Sequence, residues 1–239
     1  MIGAHLQKLR QRTSISADEE QAIRGAVSEI RNVPAGQVLI HCGEHLSHSV
    51  MLLEGWMARV KYLEDGARQV TELQLPGDFV DLHGFTLKRL DHDIVALTSC
   101  RVALVPHDRL REISEHLPRL ARIYWFMTNV DAAISRELVL SLGQRSAISR
   151  MAHLFCEIHC RLAVIGQARD TGYDFPLTQR DLSECFGLTV VHVNRTLQEL
   201  RRRGLLELEN RQLTIRDRAG LEALAEFDPA YLYLDEHRF

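Results

Sequence analysis

No apolar run in the 239 residues approaches the roughly 18–20 residues that a bilayer crossing needs, so nothing in the chain reads as a membrane span. The opening MIGAHLQKLRQRTSIS lacks the apolar core of a secretory signal, and a cytoplasmic protein is expected. Cysteine is scarce. The five, at 42, 100, 156, 160 and 185, are odd in number and scattered, which argues against a disulfide framework. Low-complexity segments and repeat periods are missing. So are a Gly-rich phosphate loop, a Gly-x-Ser-x-Gly elbow and a His-Glu-x-x-His pair, and no enzyme is expected. The chain has no overall excess of positive charge either: its formal net charge is −3, so any surface for a polyanion must be local.

What the chain does have is ample core material, 46% hydrophobic residues, over a length that favours two domains. Ser16-Ala-Asp-Glu19 fits a capping box, and Ala22, Ile23, Ala26, Val27 and Ile30 continue a helical face that Pro34-Ala-Gly36 should end. From about 31 to 105 the pattern becomes short alternating or apolar runs: 38–40, 50–53, 56–62, 69–75, 94–98 and 102–105. Turns rich in Gly, Pro and Asp separate them, which predicts a small antiparallel barrel or roll. Pro106 and Asp108 open a short helix to about Ser114. Pro118 suits the first position of a long helix to about Leu142, with Gly143 as its stop. Leu120, Ile123, Met127, Val130, Ile134 and Leu138 recur on it at spacings of three and four. That is a heptad seam, suited to pairing with the same helix of a second subunit, the alternative being packing on its own domain. Trp125, Phe126, Ala132, Ala133 and Val139 form another apolar surface, so one side is expected on the roll and one on a partner. Ser146 caps a further helix to about Ala163, and Gln167–Tyr173 reads as a polar loop.

The most informative stretch is Thr178 to Gly204. Thr178 caps a short helix with Asp181 placed to reach back, Gly187-Leu188 breaks the pattern, and Thr189 caps a second helix to about Arg203. Val193, Leu197 and Leu200 share one face of that helix, and Val191, Arg195, Gln198 and Arg202 share another. A helix–turn–helix needs this division between a stripe that anchors and a stripe that meets base edges and phosphates. The bland alternative is a helical hairpin inside an enzyme core. Leu205–Leu208, the turn Glu209-Asn210-Arg211 and Leu213–Ile215 read as a hairpin, the wing of a winged helix. Residues 178–218 also hold eight Arg against six acidic residues, a modest local excess of positive charge. Residues 219–227 predict one more short helix, and 229–239 a tail that folds back.

Order and motifs together resemble the Crp/Fnr family of bacterial transcription regulators. The resemblance is carried by Leu39-Ile-His-Cys-Gly-Glu44, Leu53-Glu-Gly55 and Pro76-Gly-Asp-Phe79. In the second half it rests on Leu177-Thr-Gln-Arg-Asp-Leu182, Phe186-Gly-Leu-Thr189, Val193-Asn-Arg195, Leu200 and Gly204-Leu. It implies an α+β chain: an antiparallel β-roll of the cyclic-nucleotide-binding type over 1–117, a dimerisation helix over 118–143, and a winged helix–turn–helix over 144–239. It further implies a homodimer on a roughly palindromic operator in double-stranded DNA, with RNA polymerase as a further partner. By position, Arg195 falls on the arginine with which relatives read guanine. Val191 stands where many have glutamate, so the operator should differ from the best-known one, and Val191 suits a thymine methyl. His192 and Asn194 are further candidate readers, with Thr189 and Gln198 on the same helix. Thr178, Gln179 and Arg180 lie where the family anchors phosphate, and Arg202 is a further candidate.

The effector region departs from this resemblance. Relatives that bind cyclic AMP hold its ribose with a glycine–glutamate pair and its phosphate with an arginine–serine pair. Here Gly77-Asp-Phe-Val80 leads into Asp81-Leu82, and the later loop reads Leu90-Asp91-His92-Asp93, whose carboxylates repel a phosphate. Cyclic AMP in the usual mode is therefore not expected. Asp81, His83 and His92, with Ser135 and Arg136 of the long helix, are the candidate lining for another ligand. No cysteine precedes Cys42, so the N-terminal cluster ligands of oxygen-sensing relatives are missing and no iron–sulfur cluster is expected. His41, Cys42, His45 and His48 straddle a strand and a loop and are better read as framework. His153, Cys156 and Cys160 share a helix face and are better read as packing, so no metal is expected. Two readings follow: a regulator whose DNA binding an effector controls, or a constitutive DNA-binding protein whose roll is only a scaffold.

Overall fold

The structure is a computed structural model and describes residues 2–237 and 239. The elements are α1 (Gly3–Arg12), α2 (Ala17–Ala26), β1 (Glu29–Val33), β2 (Val38–Ile40), β3 (His48–Glu54), β4 (Met57–Tyr62), β5 (Arg68–Gln74), α3 (Gly84–Leu87), β6 (Asp93–Ala96), β7 (Cys100–Pro106), α4 (His107–His116) and α5 (Pro118–Gln144). They continue as α6 (Ala147–Ala163), β8 (Ala168–Arg169), β9 (Gly172–Asp174), α7 (Gln179–Phe186), α8 (Val190–Arg202), β10 (Leu206–Glu209), β11 (Gln212–Ile215) and α9 (Arg218–Ala225). They form two compact units. One takes the residues up to 61, then 72–133 and 233–239; the other takes 62–71 and 134–232.

The first unit is built on two antiparallel sheets, β1-β7-β3 and β2-β6-β4-β5. The continuous apolar run at 50–53 is explained by burial on both faces. Val50 and Leu52 point into a core with Met57, Ile94, Val102 and Leu104. Met51 and Leu53, with Ala103 and Val105, meet the helices on the outer face. Those helices bring Leu6 and Leu9 of α1, with Ile2 just before it, Ile23 of α2, Leu110 and Ile113 of α4, and Leu120 and Ile123 of α5.

Several expectations need correcting here. Ser16 and Glu19 do form the capping box of α2, but the helix ends at Ala26, because Ser28 N–H already donates to Leu104 O (2.9 Å) and the chain enters β1. Ile30 is thus a strand residue, and Pro34 does not end the helix. α1 was not anticipated. It lies across the turn at 76–78: His5 Nδ1 bonds Gly77 O (2.9 Å) and Lys8 pairs with Asp78. Gly77 has φ +90, and an added Cβ would meet the Ala4 backbone at 2.8 Å. The tail does fold back, where Phe239 meets Phe126 with ring centroids 5.1 Å apart.

The long helix corrects the expected seam. Leu120, Ile123, Val130 and Ile134 are only 0, 1, 4 and 8% exposed within the single chain, and Met127 packs against the same core. Four of the six seam positions are thus already covered within the chain, while Met127 and Leu138 are half-buried. The outward stripe is instead Trp125 and Val139, each 70% exposed, with Ala132 between them. Ala133 is buried, so the second apolar surface is narrower than its sequence suggests. Nor does Gly143 stop the helix, which runs to Gln144; Arg150 Nη2 satisfies terminal carbonyls at Leu142 (3.0 Å) and Arg145 (3.3 Å).

In the second unit α6, capped by Ser146, packs on α7, α8 and α9 through residues such as Met151, Phe155 and Ile158. The expected hairpin forms, with Asn210 and Arg211 both at positive φ (51° and 61°), as a two-residue turn between β10 and β11 requires. The stretch read as a polar loop is partly strand. β8 and β9 extend the wing to a four-stranded sheet of order β10-β11-β9-β8. Gly172 is required there: at φ +144 a Cβ would lie 1.9 Å from Leu213 O.

Candidate nucleic-acid interface

Local caps bound α7 and start α8. Thr178 Oγ1 accepts from Asp181 N–H (3.2 Å) while Asp181 Oδ2 accepts from Thr178 N–H (2.8 Å), a complete capping box. Gly187 then takes the left-handed conformation (φ +62), and Thr189 Oγ1 accepts from His192 N–H (3.2 Å) to start α8. Val193, Thr196 and Leu200 bury one face of α8. Leu197, expected with them, is half-buried, and Thr196 takes part instead. Val191 (63% exposed), His192, Asn194, Arg195, Gln198 and Arg202 all face solvent. Asn194 Nδ2 also donates to Gln179 Oε1 (3.3 Å), tying α8 to α7.

The arginines of this region differ in what holds them. Arg202 donates from Nε (2.9 Å) and Nη2 (2.8 Å) to Glu199, Arg203 donates to the same carboxylate (2.7 Å), and Arg201 pairs with Glu209 (3.0 Å). Hydrogen bonds from Arg202 and Arg203 pull the Glu199 carboxyl down to about 2. Each of the three arginines is thus engaged by its own chain, though two carboxylates serve all three. The Arg195 side chain makes no hydrogen bond or ion pair among the described residues, so its guanidinium stands ready for an external acceptor. Arg180 points outward beside Glu184 (3.5 Å), and Arg68 Nε also donates to that carboxylate (2.6 Å). Arg211, at the exposed tip of the β10–β11 hairpin, is a candidate contact that the sequence reading passed over. The signal for it was the Asn210-Arg211 turn, which holds the side chain clear of the sheet.

The candidate effector residues fall into different settings. Asp81 is fully buried; its Oδ1 accepts from Val50 N–H (2.6 Å), and desolvation pushes its carboxyl up to about 7. His83 and His92 lie side by side with centroids 5.4 Å apart. Burial holds both below the usual imidazole range, His83 at about 3, so both are neutral. Ser135 and Arg136 belong to the second unit, where Arg136 is exposed. The first unit also holds a buried ionic group: Arg59 donates to Glu72 (2.6 Å), Asp131 (2.9 Å) and Val80 O (2.9 Å). Asp91 is paired with Lys61 (2.7 Å) and His92 (2.8 Å), and Asp93 accepts from Cys42 N–H (2.7 Å). The buried cation is committed and the 90–93 loop presents carboxylates, so these residues do not fit a cyclic phosphate. Among the described residues no three His, Cys, Asp or Glu side chains gather as a metal site requires.

Fold and interface together define a winged-helix DNA-binding protein joined to a roll of the cyclic-nucleotide-binding type. The model of the cyclic nucleotide-binding domain matches residues 30–116, and that of the Crp-like helix-turn-helix domain matches 149–224. The nitrogen fixation regulation protein FixK of Bradyrhizobium diazoefficiens is 31% identical over 175 residues, 73% of this chain and 72% of the relative. The transcriptional activator protein FnrL of Cereibacter sphaeroides is 28% identical over 200 residues, 82% of this chain and 80% of its own. The solved structure of FixK2 from Bradyrhizobium japonicum superposes with a TM-score of 0.76 at 26% identity, covering 83% of this chain and 97% of that one. The chain belongs to the Crp/Fnr family, and it is a DNA-binding transcription regulator. Among the described residues no helix is long and apolar enough to cross a membrane.

Proposed function

We propose that the chain works as a cytoplasmic homodimer on a roughly palindromic operator, with one α8 in each of two successive major grooves, and that it acts on RNA polymerase from there. The observation that carries this reading is Arg195, exposed and without an acidic partner among the described residues, while its neighbours Arg201, Arg202 and Arg203 are held by Glu209 or Glu199. A guanidinium left unpaired on a reading helix suits the bidentate contact to guanine O6 and N7. Val191, one turn earlier, suits a thymine methyl. Thr178, Gln179 and Arg180 at the start of α7 suit phosphate, with Asp181 already on the helix end so that the cations must outweigh it. The proposed organisation is an effector-type roll over 1–117, a dimerisation helix over 118–143 and a DNA-binding domain over 144–239. DNase footprinting on upstream DNA tests it: a two-part footprint with half-sites one helical turn apart is expected, and a single unpaired half-site would count against the dimer.

Control is proposed to rest with an effector other than cyclic AMP in the usual mode. A second reading, a constitutive DNA binder, is favoured by one observation: Arg59, Glu72 and Asp131 already complete a buried ionic group in the roll's unit. Melting the protein against a panel of nucleotides and small metabolites separates them, since any compound that binds only the folded chain raises its melting temperature. A rise for one compound, with a matching change in DNA affinity, supports effector control; none across the panel supports the constitutive reading.

A further inference from the structure

A cavity of about 440 Å³ opens in the first unit between the 82–86 segment, α4 and the N-terminal half of α5. Its walls take in none of Arg59, Glu72, Asp131 or Val80, so it is separate from the buried ionic group of the roll. The volume falls within the range of small-molecule sites. Most of the wall is apolar, with Phe85, Tyr124 and Trp125 supplying rings, and no Asp, Glu, Lys or Arg contributes to it. Lys88 stacks its ammonium on Phe85 (4.8 Å) but is not part of the wall.

The serine and threonine hydroxyls of the wall share one sense. Thr86 Oγ1 donates to His83 O (3.0 Å), Ser114 Oγ to Arg111 O (2.8 Å) and Thr128 Oγ1 to Trp125 O (2.7 Å). Each hydroxyl hydrogen is spent on the chain's own backbone, which leaves lone pairs to offer. The His83 ring makes no hydrogen bond among the described residues and is held neutral by burial, so it offers one acceptor and one donor. A carboxylate or phosphate brings a full charge, and this wall holds no cation to balance it. A neutral ring with an O–H or N–H satisfies both the apolar wall and the acceptors. We propose that this cavity is a binding site for a small uncharged aromatic compound carrying a hydrogen-bond donor, of the phenol or indole class.

The test uses the full chain with phenol and indole as probes and benzoate as the charged counterpart. Isothermal titration should give saturable binding of phenol and indole with a Kd of about 1 mM or tighter, as expected for ligands of fewer than about ten heavy atoms. Benzoate should bind at least about tenfold more weakly. The chain holds two tryptophans, so an amide and indole NMR spectrum locates the event: the Trp125 indole N–H should shift with phenol and that of buried Trp56 should not. Ala121→Leu, which fills the cavity, should weaken phenol binding at least about tenfold. Should that variant fail to fold, Thr128→Val decides: it removes an acceptor while nearly keeping shape, and should weaken phenol several-fold with the melting temperature held. Benzoate binding as tightly as phenol overturns the ligand class, and binding that Thr128→Val leaves unchanged overturns the site. No saturable binding of either neutral probe overturns the whole proposal. So does a wild-type dimer that excludes the probes while a monomeric Val139→Glu variant, altered outside the wall, admits them, since a second copy would then be the occupant.

Discussion

Arg195 and Arg202 lie two turns apart on one helix, yet their surroundings give them different work. Arg202 is held by Glu199 at 2.8 and 2.9 Å and must exchange that carboxylate for a phosphate if it binds DNA at all. Replacing it with alanine should weaken binding to all sequences alike and lower the salt slope by about one. A change in sequence ranking instead would mean that Arg202 reads bases. Asp81 gives a prediction of another kind. Its folded value of about 7 lies above the ordinary 3.8, so the folded chain keeps a proton that the unfolded chain releases on passing pH 4. Stability therefore falls as pH rises from about 4 to 7 and is level above that, by an amount on the order of a few kcal/mol. Asp81→Asn can still accept from Val50 N–H and should flatten this dependence. Urea unfolding at pH 5 and pH 8 checks it, and parallel losses in the two proteins would refute the assignment.

At the scale of elements, what was legible in the chain is what is local. The caps at Ser16, Ser146, Thr178 and Thr189 all form, because a cap is decided within four residues. The roll strands are near their expected places for the same reason: turns bound them. α1 was not legible, since its buried His5, Lys8 and Arg12 make sense only once Gly77, Asp78 and Tyr233 are brought to them. β8 and β9 are too short to register without the edge of β11 that pairs with β9. The long helix shows the limit most clearly. Heptad spacing identified an apolar stripe but not its neighbour, and Leu120 and Ile123 went to the core of their own unit. The two stripes should now respond differently to mutation. Leu120→Ala should cost about 2–5 kcal/mol in unfolding free energy, as core truncations do. Val139→Glu should leave thermal stability nearly unchanged and dissociate the dimer, read by sedimentation. The reverse pattern would restore the original seam.

For the whole molecule, the near-even charge balance means that affinity for DNA has to come from a few cations rather than a broad positive field. Eight arginines and six acidic residues share residues 178–218, and several of those acids are paired to the arginines. Binding should depend on salt but with a shallow slope, near −0.9 for each of a handful of phosphates. A slope typical of ten or more contacts would mean that the internal ion pairs open on the duplex. The solvent-facing stripe of α8 was readable from spacing in the sequence, whereas the state of its charges was not, because ion pairing depends on rotamers and on the wing returning Glu209 to Arg201.

The measurement closest to the central claim is selection of binding sites from a random duplex pool by the wild-type chain and by Arg195→Ala, at one fixed salt concentration. Wild type should enrich a two-fold symmetric site with a guanine at the same step in each half, and prefer it over random duplex. The alanine variant should lose that guanine at a cost of about 1–3 kcal/mol while still binding DNA. An enriched site that is identical for both proteins, or no enrichment by wild type, would contradict the account.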